Sequence, residues 1–309
     1  MMAVSVRNIK KSYGKTAALR GLSFEAEKGE LFGLTGPDGA GKTSLFRILA
    51  TLLLADEGTA SVDGLDVVSG YREIRRRVGY MPGRFSLYPD LTVEENLSFF
   101  ASVFGTAIPK NYEPVEDIYR PLEPFKTRRA GKLSGGMKQK LALSCALIHR
   151  PSVLFLDEPT TGVDPVSRRE FWQMLRRLQA QGITILVSTP YMDEAALCDR
   201  IALMREGEFL TVDTPAGIVE KFVEPLYAVS SANMSRLLRD LRRMPEVGSC
   251  YAFGDVHHAV MAKDLPLPVM EERLKSAGHA DVCVYAIRAT VEDCFMKLNQ
   301  EGNHAGKPV

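Results

Sequence analysis

The sequence of 309 residues has no excess of charge of one sign, no long apolar run and few cysteines. Its 39 lysines and arginines against 38 aspartates and glutamates give a net charge of +1 without a polybasic block, which argues against nucleic-acid binding by bulk charge. No apolar stretch reaches bilayer-spanning length, and the N-terminus lacks a signal-peptide core. The five cysteines are scattered without metal-ligand spacing. We therefore expect reduced thiols in the cytoplasm and a protein that lies outside the bilayer.

The most informative motif is an octet near the N-terminus, Gly-Pro-Asp-Gly-Ala-Gly-Lys-Thr at residues 36–43. It matches the phosphate-loop pattern G-x-x-x-x-G-K-S/T, in which backbone N–H groups of a glycine-rich turn point at phosphate oxygens. The apolar run before it predicts a buried strand, and apolar spacing over 43–54 predicts a helix whose N-terminus faces the phosphates. We expect Lys42 to reach the β- and γ-phosphates of a nucleotide and Thr43 to bind Mg²⁺.

The pattern of the chain divides it into two domains. Alternating apolar and polar residues over 4–28 predict antiparallel strands, and strands that alternate with helices further on predict an α/β fold with a largely parallel sheet. A mainly helical insertion is expected at about 84–150. We place the end of this domain at residue 219. The tail, 220–309, has the element order of a small ferredoxin-like α+β domain, in which we expect His257-His258 in a solvated turn.

Two adjacent carboxylates end a second predicted core strand. Asp157 at this strand tip is expected to be the second Mg²⁺ anchor, and Glu158 is placed to polarise an attacking water as a general base. The alternative is a surface acidic pair before the turn at Pro159. The phosphate loop upstream favours the functional interpretation.

A Ser-Gly-Gly triplet precedes another predicted helix. Ser134, Gly135 and Gly136 offer backbone N–H groups that can bind an anion, although taken alone the triplet is more simply an N-capping serine. Two phosphate-binding motifs in one chain indicate a composite site. In such a site one copy offers its phosphate loop and a second copy offers the triplet across a dimer interface.

Together these motifs resemble the nucleotide-binding subunit of ATP-binding-cassette (ABC) transporters over roughly residues 3–219. Residues 36–43 look like Walker A, 153–157 like Walker B, 133–139 like the signature motif and 161–164 like the D-loop. The resemblance implies a P-loop NTPase cassette with an antiparallel β subdomain and a helical insertion. It also implies an ATPase that binds ATP and Mg²⁺, forms a homodimer or heterodimer of cassettes, and serves an integral membrane transporter subunit at the cytoplasmic face of the inner membrane. The tail resembles the C-terminal extension of some bacterial exporter cassettes.

The resemblance also assigns roles to single residues. Tyr13 falls where the family stacks an aromatic ring on adenine, and Asp164 falls where the D-loop meets the partner subunit. Glu158 is the implied catalytic base, and Thr43 and Asp157 are the implied Mg²⁺ ligands. The nucleotide-binding residues implied beside Tyr13 are Gly36, Pro37, Asp38, Gly39, Ala40, Gly41, Lys42, Thr43 and Ser44, and the signature residues offered in trans are Ser134, Gly135, Gly136 and Gln139.

Two positions depart from the family pattern. Gly83 stands where the family has a Gln that contacts Mg²⁺ and water, and Pro190 stands where it has a switch His that touches the γ-phosphate. Stabilisation of transition-state charge there can be worth several kcal/mol, so we expect slow hydrolysis or support from another group. The leading hypothesis is an ATPase subunit that powers an exporter. The alternative is a catalytically degenerate ATP-binding partner that regulates a second, active cassette. A soluble ABC protein acting on ribosomes or DNA is disfavoured, because the chain has one cassette and no heptad run.

Overall fold

The computed structural model describes residues 1–84, 86–112, 115–263 and 265–305. The strands are β1 Met2–Tyr13, β2 Thr16–Glu27, β3 Leu31–Thr35, β4 Glu57–Val62, β5 Leu65–Asp66, β6 Val78–Met81, β7 Val153–Asp157, β8 Thr184–Thr189, β9 Arg200–Arg205, β10 Glu208–Asp213, β11 Leu226–Ser230, β12 Val247–Phe253, β13 Val256–Met261 and β14 Cys283–Ile287. The α-helices are α1 Lys42–Leu49, α2 Tyr71–Arg77, α3 Val93–Val103, α4 Glu116–Tyr119, α5 Gly135–Leu147, α6 Pro165–Ala180, α7 Met192–Ala195, α8 Pro215–Glu220, α9 Met234–Leu241, α10 Leu267–Ser276 and α11 Val291–Ala305.

These elements belong to two compact units. One comprises Met1–Pro215 with the chain from Leu298 onward, and the other comprises Ala216–Lys297. Helix α8 contains both the start of the second unit and residue 219, where the sequence analysis places its boundary. Among the described residues, no helix combines the length and the apolar character needed to cross a membrane.

The first unit contains two sheets. Strands β9, β3, β8, β7 and β6 are parallel in that order, and β10 adds an antiparallel edge beside β9. Every residue of β3, β7 and β8 is buried, as expected for parallel strands that are covered on both faces. The second sheet is antiparallel in the order β2-β1-β4-β5. The parallel arrangement brings the carboxyl ends of β3, β7 and β8 to one edge of the sheet.

Helix α1 is shorter than its apolar spacing predicts. It ends at Leu49 rather than at Leu54, because Ala50 closes the last turn and Thr51 takes a left-handed backbone conformation with φ 61°. Leu52 and Leu54 are consequently 56% and 65% exposed. Leu52 and Leu54 therefore lie at the surface, whereas Leu53 between them packs against the core.

The regular elements described between residues 84 and 150 are helical. Helix α3 begins with a capping box in which Thr92 accepts a hydrogen bond from the Glu95 backbone and the Glu95 side chain accepts one from the Thr92 backbone. Helix α5 is capped at its N-terminus by Ser134, whose hydroxyl accepts from Met137 N. Short 3-10 turns at Ile108–Lys110, Arg120–Phe125 and Ala130–Lys132 connect these helices.

The second unit is built on a four-stranded sheet in the order β12-β13-β11-β14. All neighbouring strands are antiparallel, and the chain runs strand, helix, strand, strand, helix, strand from β11 to β14. Leu237 and Leu241 of α9 and Met270 and Leu274 of α10 pack in one buried apolar cluster with residues of this sheet. The order and alternation are those of a ferredoxin-like α+β unit.

The prediction of a solvated turn at His257-His258 is wrong. Both residues lie in β13 and are buried, with 4% and 6% exposure. Burial is possible because helices on either side supply hydrogen-bond partners: His257 Nε2 lies 2.8 Å from Met234 O, and His258 Nδ1 lies 2.6 Å from Asp293 Oδ1. Within the described ranges, no group of three potential metal-ligating side chains includes these histidines.

Candidate nucleotide site

The phosphate loop connects β3 to α1, and its glycines are required by close backbone approach. A Cβ at Gly36 would lie 2.0 Å from Met204 O, and a Cβ at Gly41 would lie 2.4 Å from Ala18 O. Only glycine therefore allows the loop to run this close to β9 and β2. Between these two positions Pro37, Asp38 and Gly39 form an exposed rim, whereas Ala40 is buried.

Lys42 lies inside the loop and is only 3% exposed. Its Nζ donates to Gly36 O at 2.8 Å and to Pro37 O at 3.1 Å, and it lies 3.2 Å from Glu158 Oε1. The ammonium group is thus held at the centre of the loop by carbonyl oxygens and by one carboxylate. An anion that enters the loop meets this charge together with the N-terminus of α1.

Asp157 joins three segments of the site through its two oxygens. Thr43 Oγ1 donates to Asp157 Oδ2 at 2.7 Å, and Ser188 Oγ donates to Asp157 Oδ1 at 2.7 Å. The carboxylate is 2% exposed. The paired oxygens of Thr43 and Asp157 are the hard ligands that Mg²⁺ prefers, so these residues fit the metal that the sequence predicts.

Glu158 occupies a strained turn directly after β7. Its φ of 50° lies in the left-handed region that non-glycine residues rarely adopt. Its backbone N–H donates to Ser188 Oγ at 2.9 Å and to Ser188 O at 3.1 Å, which ties the turn to the end of β8. The turn directs the side chain to Lys42, so the predicted base and the loop lysine are in contact.

Tyr80 adds a buried phenol near the same carboxylate. Burial raises the pKa of Tyr80, and the negative charge of Asp157 raises it further. The Tyr80 phenol is therefore a weaker acid than an exposed tyrosine.

Tyr13 lies beside the first turn of α1. Its hydroxyl is 3.3 Å from Ser44 Oγ, and the residue is 48% exposed. The ring is therefore accessible next to the loop. Its contact with adenine stays a prediction.

The signature residues contact the first turn of α6 and the segment before it. A Cβ at Gly136 would lie 2.7 Å from Ser167 Oγ, and one at Gly135 would lie 3.5 Å from Gly162 O. Asp164 caps α6 by accepting hydrogen bonds from Val166 N and Ser167 N at 3.1 and 3.0 Å. The hydrogen bonds from Ser167 hold the pKa of this carboxyl below its usual value.

These signature residues and the phosphate loop form two separate groups. Gln139 is half-buried on α5, in the same helix as the Ser-Gly-Gly triplet. The two glycines of the triplet face Gly162 and Ser167, and Ser134 Oγ accepts from Met137 N. A site that combines both motifs from two copies stays a prediction.

The two departures from the family pattern lie at this sheet edge. A Cβ at Gly83 would lie 2.9 Å from Asp157 O and 3.7 Å from Glu158 Cβ, so the backbone after β6 packs directly against the Asp157–Glu158 turn. This position has no room for a side chain without a backbone shift. Pro190 directly follows β8 and offers neither a backbone N–H nor a side-chain donor.

Sequence reasoning missed four polar residues around the site. Ser188 and Thr189 end the buried strand β8, Thr160 lies two residues after Glu158 on the same turn, and Glu194 lies in α7; all four are buried. Ser188 and Thr189 form a polar pair at the tip of an apolar core strand. This pattern could have identified them from the sequence, because the tips of parallel strands meet at one edge of the sheet. No local pattern marks Glu194, since its partners lie elsewhere in the chain.

Comparison with known proteins gives consistent matches. Residues 19–161 match the family described as ABC transporter. The chain is 39% identical over 286 residues to the probable multidrug ABC transporter ATP-binding protein YbhF of Escherichia coli K12, which covers 91% of this chain and 49% of that protein. The chain therefore spans about half the length of that curated relative. It is 42% identical over 302 residues to the Nod factor export ATP-binding protein I of Burkholderia lata, with 96% of each covered.

Solved structures show the same fold. The chain is similar to cbiO1 from Clostridium perfringens, part of the ABC transporter complex cbiONQ, with a TM-score of 0.64 and 25% identity over 79% of this chain and 96% of that one. It is also similar to the ATP-binding cassette MJ0796 in a dimeric post-hydrolysis state bound to ADP and Pi. That comparison has a TM-score of 0.63 and 26% identity over 68% of this chain and 98% of that one.

Proposed function

The chain belongs to the ABC transporter family as an ATP-binding cassette, and we propose that it hydrolyses ATP to power an exporter through a separate membrane subunit. Membership of this family supports ATP hydrolysis as the reaction, since the related cassette MJ0796 is seen in a post-hydrolysis state with ADP and Pi. The observation that carries the proposal is the convergence of Lys42, Thr43, Asp157 and Glu158 at one sheet edge. Export as the direction of transport is supported by the names of the multidrug and Nod factor relatives.

Nucleotide binding follows from the charge and shape of the loop. The β- and γ-phosphates lie in the glycine-rich turn, where backbone N–H groups and Lys42 Nζ bind their oxygens. Thr43 and Asp157 hold Mg²⁺, which neutralises phosphate charge when bound. Tyr13 stacks on the adenine ring from its exposed position beside Ser44.

Hydrolysis needs a base, and Glu158 fits this role. Its carboxylate lies 3.2 Å from Lys42 Nζ, so it reaches the phosphate end of the site. When phosphate oxygens bind Lys42, Glu158 is released to accept a proton from the attacking water. Gly83 and Pro190 supply no side-chain donor at the γ-phosphate, so we expect slow turnover.

A second copy completes the site. The N-terminus of α5 at Ser134 and Gly135 is exposed and offers backbone N–H groups to an anion held by another chain. The dimeric state of MJ0796 supports this arrangement. Two cassettes thus enclose two ATP molecules, and closing and reopening of the dimer transmit the energy of hydrolysis.

The membrane subunit docks in an apolar groove between the sheet and the helical insertion. The groove has a volume of about 310 Å³, and its lining includes Leu52, Tyr80, Phe100, Val103, Phe104 and His149. Leu52 and Val103 are 56% and 62% exposed, which is unusual for large apolar side chains grouped together. A helix end of a membrane-embedded subunit is the occupant that membership of a transporter family supports. The groove adjoins β6, which leads to Gly83 and from there to Asp157.

The hydrolysis proposal is tested by the rate of ATP turnover of the purified chain. Glu158→Gln removes the base and Lys42→Ala removes the phosphate ligand, so both variants should lose at least about 100-fold in kcat. Glu158→Gln should retain ATP affinity, whereas Lys42→Ala should lose it. Glu208→Gln changes an exposed carboxylate of β10 and serves as the control. Equal rates in all four proteins would refute the assigned roles.

The docking proposal is tested with a charged side chain in the groove. Val103→Asp should abolish recovery of the chain with membranes of its own source cells. Val68→Asp is the matched control, because Val68 is similarly exposed at 58% but lies outside the groove. ATP turnover should be unchanged in both variants. Equal membrane recovery of the two variants would contradict the docking surface.

The second candidate function is a degenerate ATP-binding partner that regulates an active cassette. Gly83 and Pro190 favour it, because both remove polar groups from the γ-phosphate end. If they limit hydrolysis, Gly83→Gln with Pro190→His should raise turnover sharply once the backbone shifts away from Asp157 O. Absence of turnover in the wild-type chain, combined with tight ATP binding and a rise in this double variant, would favour the regulatory function.

A further inference from the structure

Glu194 is a buried carboxylate that accepts hydrogen bonds from three segments of the first unit. It lies in α7 and is 3% exposed. Its Oε2 accepts from Thr160 Oγ1 at 2.8 Å and from Thr189 Oγ1 at 2.6 Å, and its Oε1 accepts from Arg168 Nε at 2.9 Å. A buried charge with this many well-placed donors is compensated rather than strained.

The three donors belong to the segments that surround the catalytic turn. Thr160 lies two residues after Glu158, on the same turn. Thr189 directly follows Ser188, whose backbone and hydroxyl oxygens bind the Glu158 N–H. Arg168 lies at the beginning of α6, immediately after the loop that the turn enters. Glu194 therefore joins the catalytic turn to the tip of the neighbouring strand.

The network around Glu194 is closed. Tyr191 N donates to Thr189 Oγ1 at 3.1 Å, and the Arg168 guanidinium lies 4.2 Å from the centre of the Tyr191 ring. Thr189, Arg168 and Tyr191 thus each have two partners within the network, and Thr160 is joined to it through Glu194. Such networks fix the relative position of the segments they connect.

A fixed position matters because the backbone of Glu158 is strained. A non-glycine residue with φ of 50° is strained and persists only where surrounding contacts hold it. The Ser188 oxygens hold the residue itself. Thr160, through Glu194, holds the far end of the same turn.

We propose that Glu194 is a positioning residue that holds the strained Glu158 turn against the tip of β8 and so keeps the Glu158 carboxylate in reactive geometry. The inference rests on the proposed function, in which Glu158 activates water. Glu194 does not touch the nucleotide site itself. Its removal should therefore lower the rate of hydrolysis without lowering nucleotide affinity.

The first test separates kcat from ATP affinity. Glu194→Ala should lower kcat about 10- to 100-fold, as expected when a reactive group is misplaced by about 1 Å, while the Kd for ATP changes by less than about twofold. In Glu194→Gln, kcat should fall less than in Glu194→Ala, because the amide oxygen still accepts from Thr160 and Thr189. Asp193→Asn is the matched control, since Asp193 is adjacent and also faces Arg168 but its side chain is 78% exposed. It should leave kcat unchanged.

A double variant distinguishes positioning from general support of the fold. Because Glu194 acts through Glu158, adding Glu194→Ala to Glu158→Gln should slow turnover no further. A further loss in the double variant would overturn the proposal. A fall in ATP affinity as large as the fall in kcat in Glu194→Ala would overturn it as well.

Hydrogen exchange provides a readout that does not need turnover. In Glu194→Ala, amides of peptides covering residues 158–164 and 188–193 should exchange faster, with the α1 peptide unchanged and Asp193→Asn like wild type. Unchanged exchange in the two peptides, or a uniform rise over the chain, would overturn the positioning role. If the wild-type chain shows no turnover, the role of Glu158 in hydrolysis fails while this measurement still decides whether Glu194 holds the turn.

Discussion

Single side chains at the site are held by partners before any phosphate arrives. Lys42 Nζ already binds two loop carbonyls and faces Glu158, and Thr43 already donates to Asp157. In the proposed complex, phosphate oxygens and Mg²⁺ would therefore replace these hydrogen bonds and this ion pair. Binding energy must exceed what these contacts contribute, which makes affinity sensitive to each of the four side chains.

The cysteines give a prediction at the same scale. Burial raises the pKa of the Cys250 thiol to about 12 and that of Cys294 to about 11, and it also raises the pKa values of Cys145 and Cys198. The thiolate is the reactive form, so these four thiols should resist alkylation near pH 8. Cys283 is exposed.

Alkylation of the native chain should therefore modify about one thiol, and peptide mapping should place it at Cys283. The denatured chain should take up label at all five cysteines, which provides the control. Rapid modification of any of the four buried thiols in the native chain would contradict their packing.

At the scale of elements, short sequence patterns at the N-termini of α3 and α5 correspond to helix-capping hydrogen bonds in the structure. Thr92 and Glu95 form a reciprocal capping box, and Ser134 caps α5. The Ser-Gly-Gly triplet at the start of α5, which suggests anion binding, therefore also has a structural role as a helix cap. The two roles are compatible, because a serine cap satisfies one backbone N–H and leaves others at the helix start available.

The capping box on α3 should be measurable in chemical unfolding. Thr92→Ala should lower the free energy of unfolding by about 1 kcal/mol, because the cap at Glu95 N is lost. Glu94 lies in the same first turn but outside the capping box, so Glu94→Gln should lower the free energy of unfolding by less. A Thr92→Ala variant as stable as the wild-type chain would show that the box does not stabilise the helix.

The two signature glycines should respond differently to alanine. Gly136→Ala places a methyl group 2.7 Å from Ser167 Oγ, so overpacking should destabilise the chain by roughly 1–3 kcal/mol. Gly135→Ala meets only Gly162 O at 3.5 Å and should be tolerated, since alanine favours helix. Thermal unfolding of the two variants measures the difference, and equal stability would contradict the close approach of α5 and α6.

At the scale of the whole molecule, the chain contains a nucleotide cassette and a second unit with its own core. The second unit has a sheet, two helices on one buried cluster and three buried histidines, namely His257, His258 and His279. The nucleotide site lies entirely in the first unit. The proposed composite site would therefore be formed between the first units of two copies.

Dimer formation should depend on ATP. With Glu158→Gln to slow hydrolysis, Mg-ATP should shift the purified chain from monomer to dimer in size-exclusion chromatography with light scattering. Glu158→Gln combined with Lys42→Ala should remain monomeric, because the phosphates are no longer held. A Glu158→Gln chain that stays monomeric with saturating Mg-ATP would contradict a homodimer and favour a different cassette as partner.

The sequence by itself determined the local chemistry: the glycine loop, the strand-tip carboxylates, the helix caps and the alternation that requires a parallel sheet. These features depend on residues that are close together in the chain, so a short stretch of sequence is enough to recognise them. The missed histidine burial and the four missed polar residues depend on distant partners. Thr160 and Glu194, for example, are 34 residues apart in the chain. Only the tertiary structure decided that Gly83 packs on the Asp157–Glu158 turn and that Glu194 joins this turn to β8, because packing between separate segments sets which side chains meet.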